Sequence, residues 1–390
     1  MGTLMRIAHV ITRMIIGGAQ ENTLLTCLDL RDTFGDDVRL ITGPALGPEG
    51  SLMDKVRSAN LTVTEIDSLR RAIQPWRDWS SYRHIRRELI EFRPEVVHTH
   101  SAKGGILGRV AAWSLRVPAI VHTVHGAPFH PYQSATARAA FRACERYAAG
   151  KCHAMISVAD AMTDLMVTAG VAPREKFTTI YSGMGVEPFL QADQHRADVR
   201  RRLGYTDQHV VIGKVARLFA LKGHEYVIQA AQAVIRANSN ARFLFVGDGT
   251  RRQSLQQQID RAGLADYFQF TGLAPPQQIP ELLAAMDVVV HASLREGLAR
   301  VLPQALIAGR PVVSFDIDGA REVVIDDCTG FLVPPQSVEG LATALLRLSR
   351  SDSLRRQLAA EGRRRFGDVF RHQHATRQIR ELYERLLVRA

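Results

Sequence analysis

The sequence predicts an α/β protein of two domains, each a parallel sheet covered by helices. Three observations carry this expectation. Short apolar runs alternate with amphipathic helical patterns along almost the whole chain, the signature of βαβ units. The alternation breaks once, at a connector marked by Gly and Pro, and then starts afresh. The length, 390 residues, suits two or three domains of ordinary size.

Strands in the first half are predicted at Arg6–Ile11, Val38–Thr42, Thr62–Ile66, Val96–His100, Ile120–Val124, His153–Ser157 and Phe177–Ile180. Each is a short run rich in Val, Ile and Thr, bounded by polar or Gly/Pro residues. Between them lie stretches of helical period, among them Glu21–Phe34, Trp79–Phe92 and Ala135–Ala149. The connector is Ser182-Gly183-Met184-Gly185-Val186-Glu187-Pro188, with a polar stretch after it to about Tyr205. The second series of strands is predicted at Val210–Ala216, Arg242–Val246, Phe268–Thr271, Val288–His291, Pro311–Phe315 and Phe331–Val333. From about Ser353 the chain reads as Arg-rich helix.

Composition narrows the class. A hydrophobic share of 46% and a charged share of 23% belong to a folded globular chain, not a disordered one. No run of 18 apolar residues occurs, so no membrane span is expected. The apolar run near the N-terminus is too short for a secretory core and reads as a strand. Cys27, Cys144, Cys152 and Cys328 lack any paired-ligand spacing, which argues against a disulfide framework or a zinc finger. A cytoplasmic protein with reduced thiols is the default expectation. The 50 Lys and Arg outnumber the 39 Asp and Glu, for a net charge of +11, and 44 of the cations are Arg. The excess favours anionic partners such as nucleotides, phosphates, nucleic acid or an acidic membrane surface. It is equally what a coding bias toward Arg would leave.

Four segments contain chemistry. After the first strand, Ile15-Ile16-Gly17-Gly18-Ala19-Gln20 opens a helix, and glycines there let backbone approach a phosphate. The third glycine of a dinucleotide fingerprint is missing, and a plain strand-to-helix turn is an equal reading. After Val210–Ala216, Arg217 and Lys222 lie beyond a strand's carboxyl end, where open α/β sheets bind ligands. Two cations beside free helix amides suit a diphosphate, although taken alone they read more readily as two solvated surface charges. Val246-Gly247-Asp248-Gly249 follows the next strand, with Asp248 expected to cap a helix. The densest segment runs from Ser293 through Arg295-Glu296-Gly297-Leu298-Ala299-Arg300 into a helix carrying Gln304, closed by Gly309-Arg310-Pro311. A carboxylate, a glycine and exposed amides at a helix start can grip hydroxyls and phosphate. With the helix starting near Leu298, Gln304 would lie two turns past Glu296; a capping acid is the plain reading of Glu296 alone.

Five histidines fall between residues 98 and 130: His98, His100, His122, His125 and His130. No metal-ligand signature fits them, so a metal site is not expected. His98 and His122 read as strand packing. His125, before Gly126 at a strand's end, is the best site candidate of the five.

Taken together these motifs resemble the family-4 glycosyltransferases, retaining enzymes that use nucleotide sugars. The resemblance covers nearly the whole chain. It rests on Gly17-Gly18, Val97-His98-Thr99-His100, His122-Thr123-Val124-His125-Gly126, Val215-Ala216-Arg217-Leu218 with Lys222-Gly223-His224, Val246-Gly247-Asp248-Gly249, and Ser293 through Gly309 with Pro311-Val312-Val313. It implies the GT-B fold, two facing Rossmann-like domains with a cleft between them. The domains would be 1–185, taking the acceptor, and 195–370, taking the nucleotide sugar, with a last helix at 371–390 packing back toward the first. Arg217 and Lys222 would hold the donor diphosphate and stabilise charge on the departing nucleotide. Glu296 would accept hydrogen bonds from the donor sugar, and His125 would face the reaction centre. Gly17, Gly18, Gly247 and the backbone of Gly297, Leu298, Ala299 and Arg300 would line the donor. Gln304 stands where the family usually has a second glutamate, which holds the nucleotide ribose; an amide can accept that bond without a full charge.

The expected function is therefore transfer of a hexosyl or N-acetylhexosaminyl unit from a nucleotide sugar, with uridine diphosphate the usual nucleotide. The acceptor, lipid-linked in one reading, would belong to cell-surface polysaccharide or glycolipid synthesis. No obligatory metal or other cofactor is expected, because Arg217 and Lys222 supply the charge. A non-catalytic or epimerase-type sugar-nucleotide protein of the same fold is the alternative. No nucleic-acid module is recognised. Arg138, Arg142 and Arg146 fall at i, i+4, i+8 on the predicted helix Ala135–Ala149, after Phe129, Pro131 and Tyr132. They make a candidate basic patch for an anionic membrane surface, with attachment to the inner face of the membrane, or an ordinary solvated face.

Overall fold

In the computed structural model, which describes residues 4–47 and 49–388, the chain divides into two α/β units. The first comprises residues 1–184 with 370–390, and the second residues 185–369.

The first unit holds β1 (Arg6–Arg13), β2 (Asp37–Gly43), β3 (Thr62–Glu65), β4 (Val96–His100), β5 (Ala119–Val124), β6 (Ala154–Ser157) and β7 (Phe177–Thr179). They form one parallel sheet in the order β3-β2-β1-β4-β5-β6-β7. β4 and β5 are buried along their whole length, as a sheet covered on both faces requires. One face packs Ile7, Ile11, Val96 and Val121 against the terminal helix His372–Leu387 through Ala375, Ile379, Leu382 and Tyr383. Polar ties hold that helix down. His372 Nδ1 and Thr376 Oγ1 lie 2.7 and 2.8 Å from Asp29 Oδ2, and Arg380 Nε donates to Asp36 Oδ2 at 3.0 Å. The other face is covered by the helix Ala102–Ser114.

The second unit holds β8 (Val210–Val215), β9 (Ala241–Val246), β10 (Phe268–Gly272), β11 (Val288–His291), β12 (Val312–Phe315) and β13 (Gly330–Val333). Their order, also parallel, is β10-β9-β8-β11-β12-β13. Its core packs the helices His224–Ala237 and Val338–Arg350 on Ile212, Phe243, Val288, Val290 and Phe315.

Both sheets are Rossmann-like, and both reverse direction of growth once. The reversal falls between β1 and β4 in the first sheet and between β8 and β11 in the second. At such a point the two loops leaving the carboxyl ends diverge and open a crevice. The predicted loops lie there: Gly17 after β1, Ser101 after β4, Arg217–Gly223 after β8 and Ser293–Arg300 after β11. Among the described residues no helix is long and apolar enough to cross a membrane. All four cysteines are free thiols.

Candidate active site

The second unit brings the β8 and β11 loops together. Leu221 and Gly223 both have φ of 67°. Gly223 needs its glycine, because a Cβ there would collide with the Ala292 carbonyl as well as strain the backbone. The loop is thereby pressed on the end of β11, and Leu294 N–H donates to the Leu221 carbonyl at 2.8 Å. Lys222, aimed by this turn, donates from Nζ to Glu296 Oε1. His291, the last residue of β11, places Nε2 3.7 Å from the same oxygen. The Glu296 backbone N–H donates to Asp318 Oδ2 at 2.6 Å, fixing the loop to the segment after β12.

The charges of this cluster follow from its surroundings. Burial works to raise the Glu296 carboxyl, but Lys222 and then His291 outweigh it and hold the group well below the usual carboxylate range. Glu296 is thus a fixed anion. Burial lowers His291, only partly offset by Glu296, so its imidazole is neutral near pH 7. Burial raises Asp318, and the Glu296 charge adds to the effect.

Arg217 is exposed at the end of β8, its guanidinium 5.1 Å from the Phe219 ring. The backbone under it is clamped from β9. Gly247, at φ 138°, passes where any Cβ would strike the Ala216 carbonyl. Leu218 N–H donates to Asp248 O, and Arg251 N–H to Leu218 O, both at 2.9 Å. Asp248 does not cap a helix: the next one, Arg252–Arg261, starts after Arg251, and Asp248 Oδ1 accepts from Gly249 N–H at 2.7 Å within its own loop. The expected helix start near Leu298 is also corrected. The helix is Val301–Ile307, so Gln304 lies in its first turn. Pro303 is tolerated there because a first-turn N–H needs no partner inside the helix. Gly297 and Ala299 are buried, while Leu298, Arg300 and Gln304 are half-buried.

Lys214 went unnoticed in the sequence. It lies within β8, buried, with no hydrogen-bond partner for Nζ among the described residues. Burial, and then the neighbouring Lys222, bring its amine down to about 7. Its one signal is a lone lysine inside the apolar run Val-Val-Ile-Gly-Lys-Val, which by itself does not separate a packing role from a site.

In the first unit the parallel register sets His9 of β1 opposite His98 of β4, and His100 follows on the same face. His100 bridges its neighbours, with Nε2 3.0 Å from His9 Nδ1 and Nδ1 3.2 Å from His125 Nε2. His98 is held on both sides, by Tyr383 Oη at 2.5 Å and Thr123 Oγ1 at 2.7 Å. His122 points to the opposite face and meets Thr99 Oγ1 at 2.9 Å. Burial lowers all four of His9, His98, His100 and His122, His9 to about 3. A cavity of about 40 Å3 beside them is lined by His122, His125, Gly126 and Glu145, among others.

Nitrogen atoms of His9, His98 and His100 lie within 4.8 Å of one another, close enough for a metal. The donor set argues otherwise. Both nitrogens of His98 are engaged by hydroxyls, and His9 and His100 share a hydrogen bond. The group fits a row of neutral imidazoles that orients His125. His9, the inner end of that row, was missed because a lone His in Ile-Ala-His-Val-Ile reads as strand packing. Gly17 is the residue before the helix Gly18–Phe34, and its carbonyl accepts the Glu21 N–H at 2.9 Å.

Comparison with known proteins decides the family. Residues 17–183 match the glycosyl transferase 4-like domain, and residues 195–365 match the glycosyl transferases group 1 family. The chain belongs to the family-4-like GT-B glycosyltransferases. This glycosyltransferase is 27% identical to the Escherichia coli UDP-Gal:alpha-D-GlcNAc-diphosphoundecaprenol alpha-1,3-galactosyltransferase, over 98% of this chain and 97% of that one. It is 32% identical to the alpha-D-kanosaminyltransferase of Streptomyces kanamyceticus, over 55% and 56% of the two chains. The crystal structure of Anabaena HepE in complex with UDP superposes with a TM-score of 0.82 at 22% identity, over 97% of this chain and 100% of that one. A Rickettsia africae glycosyltransferase superposes with a TM-score of 0.82 at 18% identity, over 99% of each chain. These structures share the fold.

Proposed function

We propose that this glycosyltransferase moves a hexosyl or N-acetylhexosaminyl unit from a UDP-sugar to a hydroxyl of a lipid-linked acceptor, with retention at the anomeric carbon. The product would enter cell-surface polysaccharide or glycolipid synthesis. One observation carries the reading: Lys222, Glu296 and His291 meet at the reversal point of the second sheet, with Arg217 on the same loop as Lys222. The named activity of the E. coli relative and the UDP held by HepE support the donor and acceptor classes.

The chemistry follows from the charges. As the bond from the anomeric carbon to the diphosphate breaks, negative charge builds on the phosphate oxygens. Lys222 and Arg217 offset it without reorganising, which is where a fixed cation lowers a barrier most. A metal is not needed for that work. Glu296 accepts from sugar hydroxyls, and its pairing with Lys222 sets sugar and diphosphate sites next to each other. The backbone of Gly297–Arg300 adds donors, and Gln304 accepts from the ribose. In the first unit, His100 holds His125 toward the acceptor.

A panel of nucleotide sugars, assayed by nucleotide release with and without a crude lipid extract, tests the proposal. Turnover of a UDP-sugar that rises with the extract, giving a product of unchanged anomeric configuration, is expected. Turnover of none of them, or an inverted product, refutes it.

A further inference from the structure

The first unit bears an outward stripe that its own packing does not use. The helix Pro75–Phe92 buries Ser81, Ile85, Leu89 and Phe92. At about 100° per residue these span a sector of about 80°. The opposite sector, of about the same width, carries Trp76, Trp79, Arg83, Arg87 and Ile90. Trp76 is 86% exposed and Trp79 57%; Ile73, just before the helix, is 73% exposed. Side chains of this size are rarely left in water together without a partner.

Charge indicates the partner. From Arg70 to Ile90 there are six arginines and two acids. Both acids are engaged: Asp78 with Lys103, and Glu88 with Arg39 and Thr64. The Arg83 guanidinium lies 4.8 Å from the Trp79 ring, within the stripe. Indoles suit the headgroup layer of a bilayer, arginines suit its phosphates, and the aliphatic Ile73 and Ile90 suit the acyl boundary. A second copy of the chain, meeting across a two-fold axis, would set like charges against each other. Nucleic acid would use the arginines and stack on the indoles but give the isoleucines no partner.

We propose that the outer face of the helix Pro75–Phe92, together with Ile73, is a contact surface for an anionic lipid bilayer. It lies apart from the Arg138–Arg146 stripe, where Arg142 and Arg146 donate to the carbonyls of Ala169 and Gly170. The surface stands independently of the transfer chemistry, so vesicle binding and nucleotide release succeed or fail separately.

Two of the chain's three tryptophans, Trp76 and Trp79, lie in the stripe, which makes the full-length protein its own reporter. Titration with phosphatidylcholine vesicles containing phosphatidylglycerol should blue-shift the emission, and brominated lipid should quench it. Phosphatidylcholine alone should do neither, and salt should weaken the binding. Trp76→Ser with Trp79→Ser, and separately Arg83→Gln with Arg87→Gln, should weaken sedimentation with anionic vesicles about tenfold. Melting temperature and nucleotide release should not change, because these side chains are exposed. Four results would overturn the proposal: no binding, equal binding to neutral vesicles, a dimer that the variants dissociate, or an oligonucleotide bound by the stripe in place of vesicles.

Discussion

Lys222 and Glu296, 74 residues apart in sequence, form an ion pair between the loops that leave β8 and β11. The pair joins a group suited to phosphate with a group suited to sugar hydroxyls. On the proposed function a donor diphosphate would share Lys222 with Glu296, and the two residues are expected to act as a unit. Lys222→Ala should lower kcat by on the order of 10²–10³ with a smaller change in KM, because its charge matters most when the diphosphate departs. Steady-state kinetics on the best donor check this. A raised KM at unchanged kcat would assign Lys222 to ground-state binding only.

Glu296→Ala separates the two functions. It should abolish transfer while UDP alone still binds, since the carboxylate is assigned to the sugar. Calorimetric titration with UDP and with the intact donor should diverge, the second losing more affinity than the first.

Gln304, in the first turn of its helix, is assigned to the nucleotide ribose. A hydrogen bond to a charged acceptor contributes about 1.5–3 kcal/mol, against about 0.5–1.5 for a neutral one. Gln304→Glu should tighten UDP binding by up to about tenfold, and Gln304→Ala should weaken it by a similar factor. If both variants bind UDP like the parent, the side chain does not reach the nucleotide.

The buried Lys214 gives stability a specific pH dependence. Its amine titrates near 7 when folded and near 10.5 when unfolded. Between these values the unfolded chain holds the extra proton, so this residue makes stability rise with pH across that window. Lys214→Met should stabilise the protein by about 1–4 kcal/mol at neutral pH, and the advantage should shrink toward pH 10.5. Urea midpoints of parent and variant at several pH values measure it; a constant difference would mean that the amine is charged throughout.

The imidazole row acts in the acid range. His9 titrates near 3 when folded against an ordinary value of 6.5, and burial lowers His98, His100 and His122 as well. Below about pH 6.5 the unfolded chain takes up protons at these rings that the folded chain refuses, so stability should fall as pH drops from 6.5 toward 3. His9→Phe should flatten that fall in urea denaturation. An unaltered slope would show that His9 is already charged in the fold.

Much of this site was legible without coordinates. Arg217, Lys222 and Glu296 stand just past strand-like runs, and the carboxyl ends of parallel strands are where ligands collect. His9 and Lys214 were not legible in the same way. A polar residue inside an apolar strand looks alike whether it packs against a helix or points into a cluster. Only its register neighbours distinguish the cases: His9 lies opposite His98, and Lys214 beside the Lys222 loop. The early start expected for the Gln304 helix failed for a local reason: in a helix begun at Leu298, Pro303 would stand in the second turn, where its missing N–H breaks the ladder, whereas from Val301 it falls in the first turn.

By itself the sequence determined the two α/β units, the places of their strands and the residue types at the loop tips, because these depend on local period and composition. The tertiary structure decided what those residues do to one another. Strand order put β8 next to β11 and so let Lys222 meet Glu296, and parallel register put His9 opposite His98. Such pairings join residues far apart in the chain, and they are set by how strands pack and cross over, which no short stretch of sequence encodes.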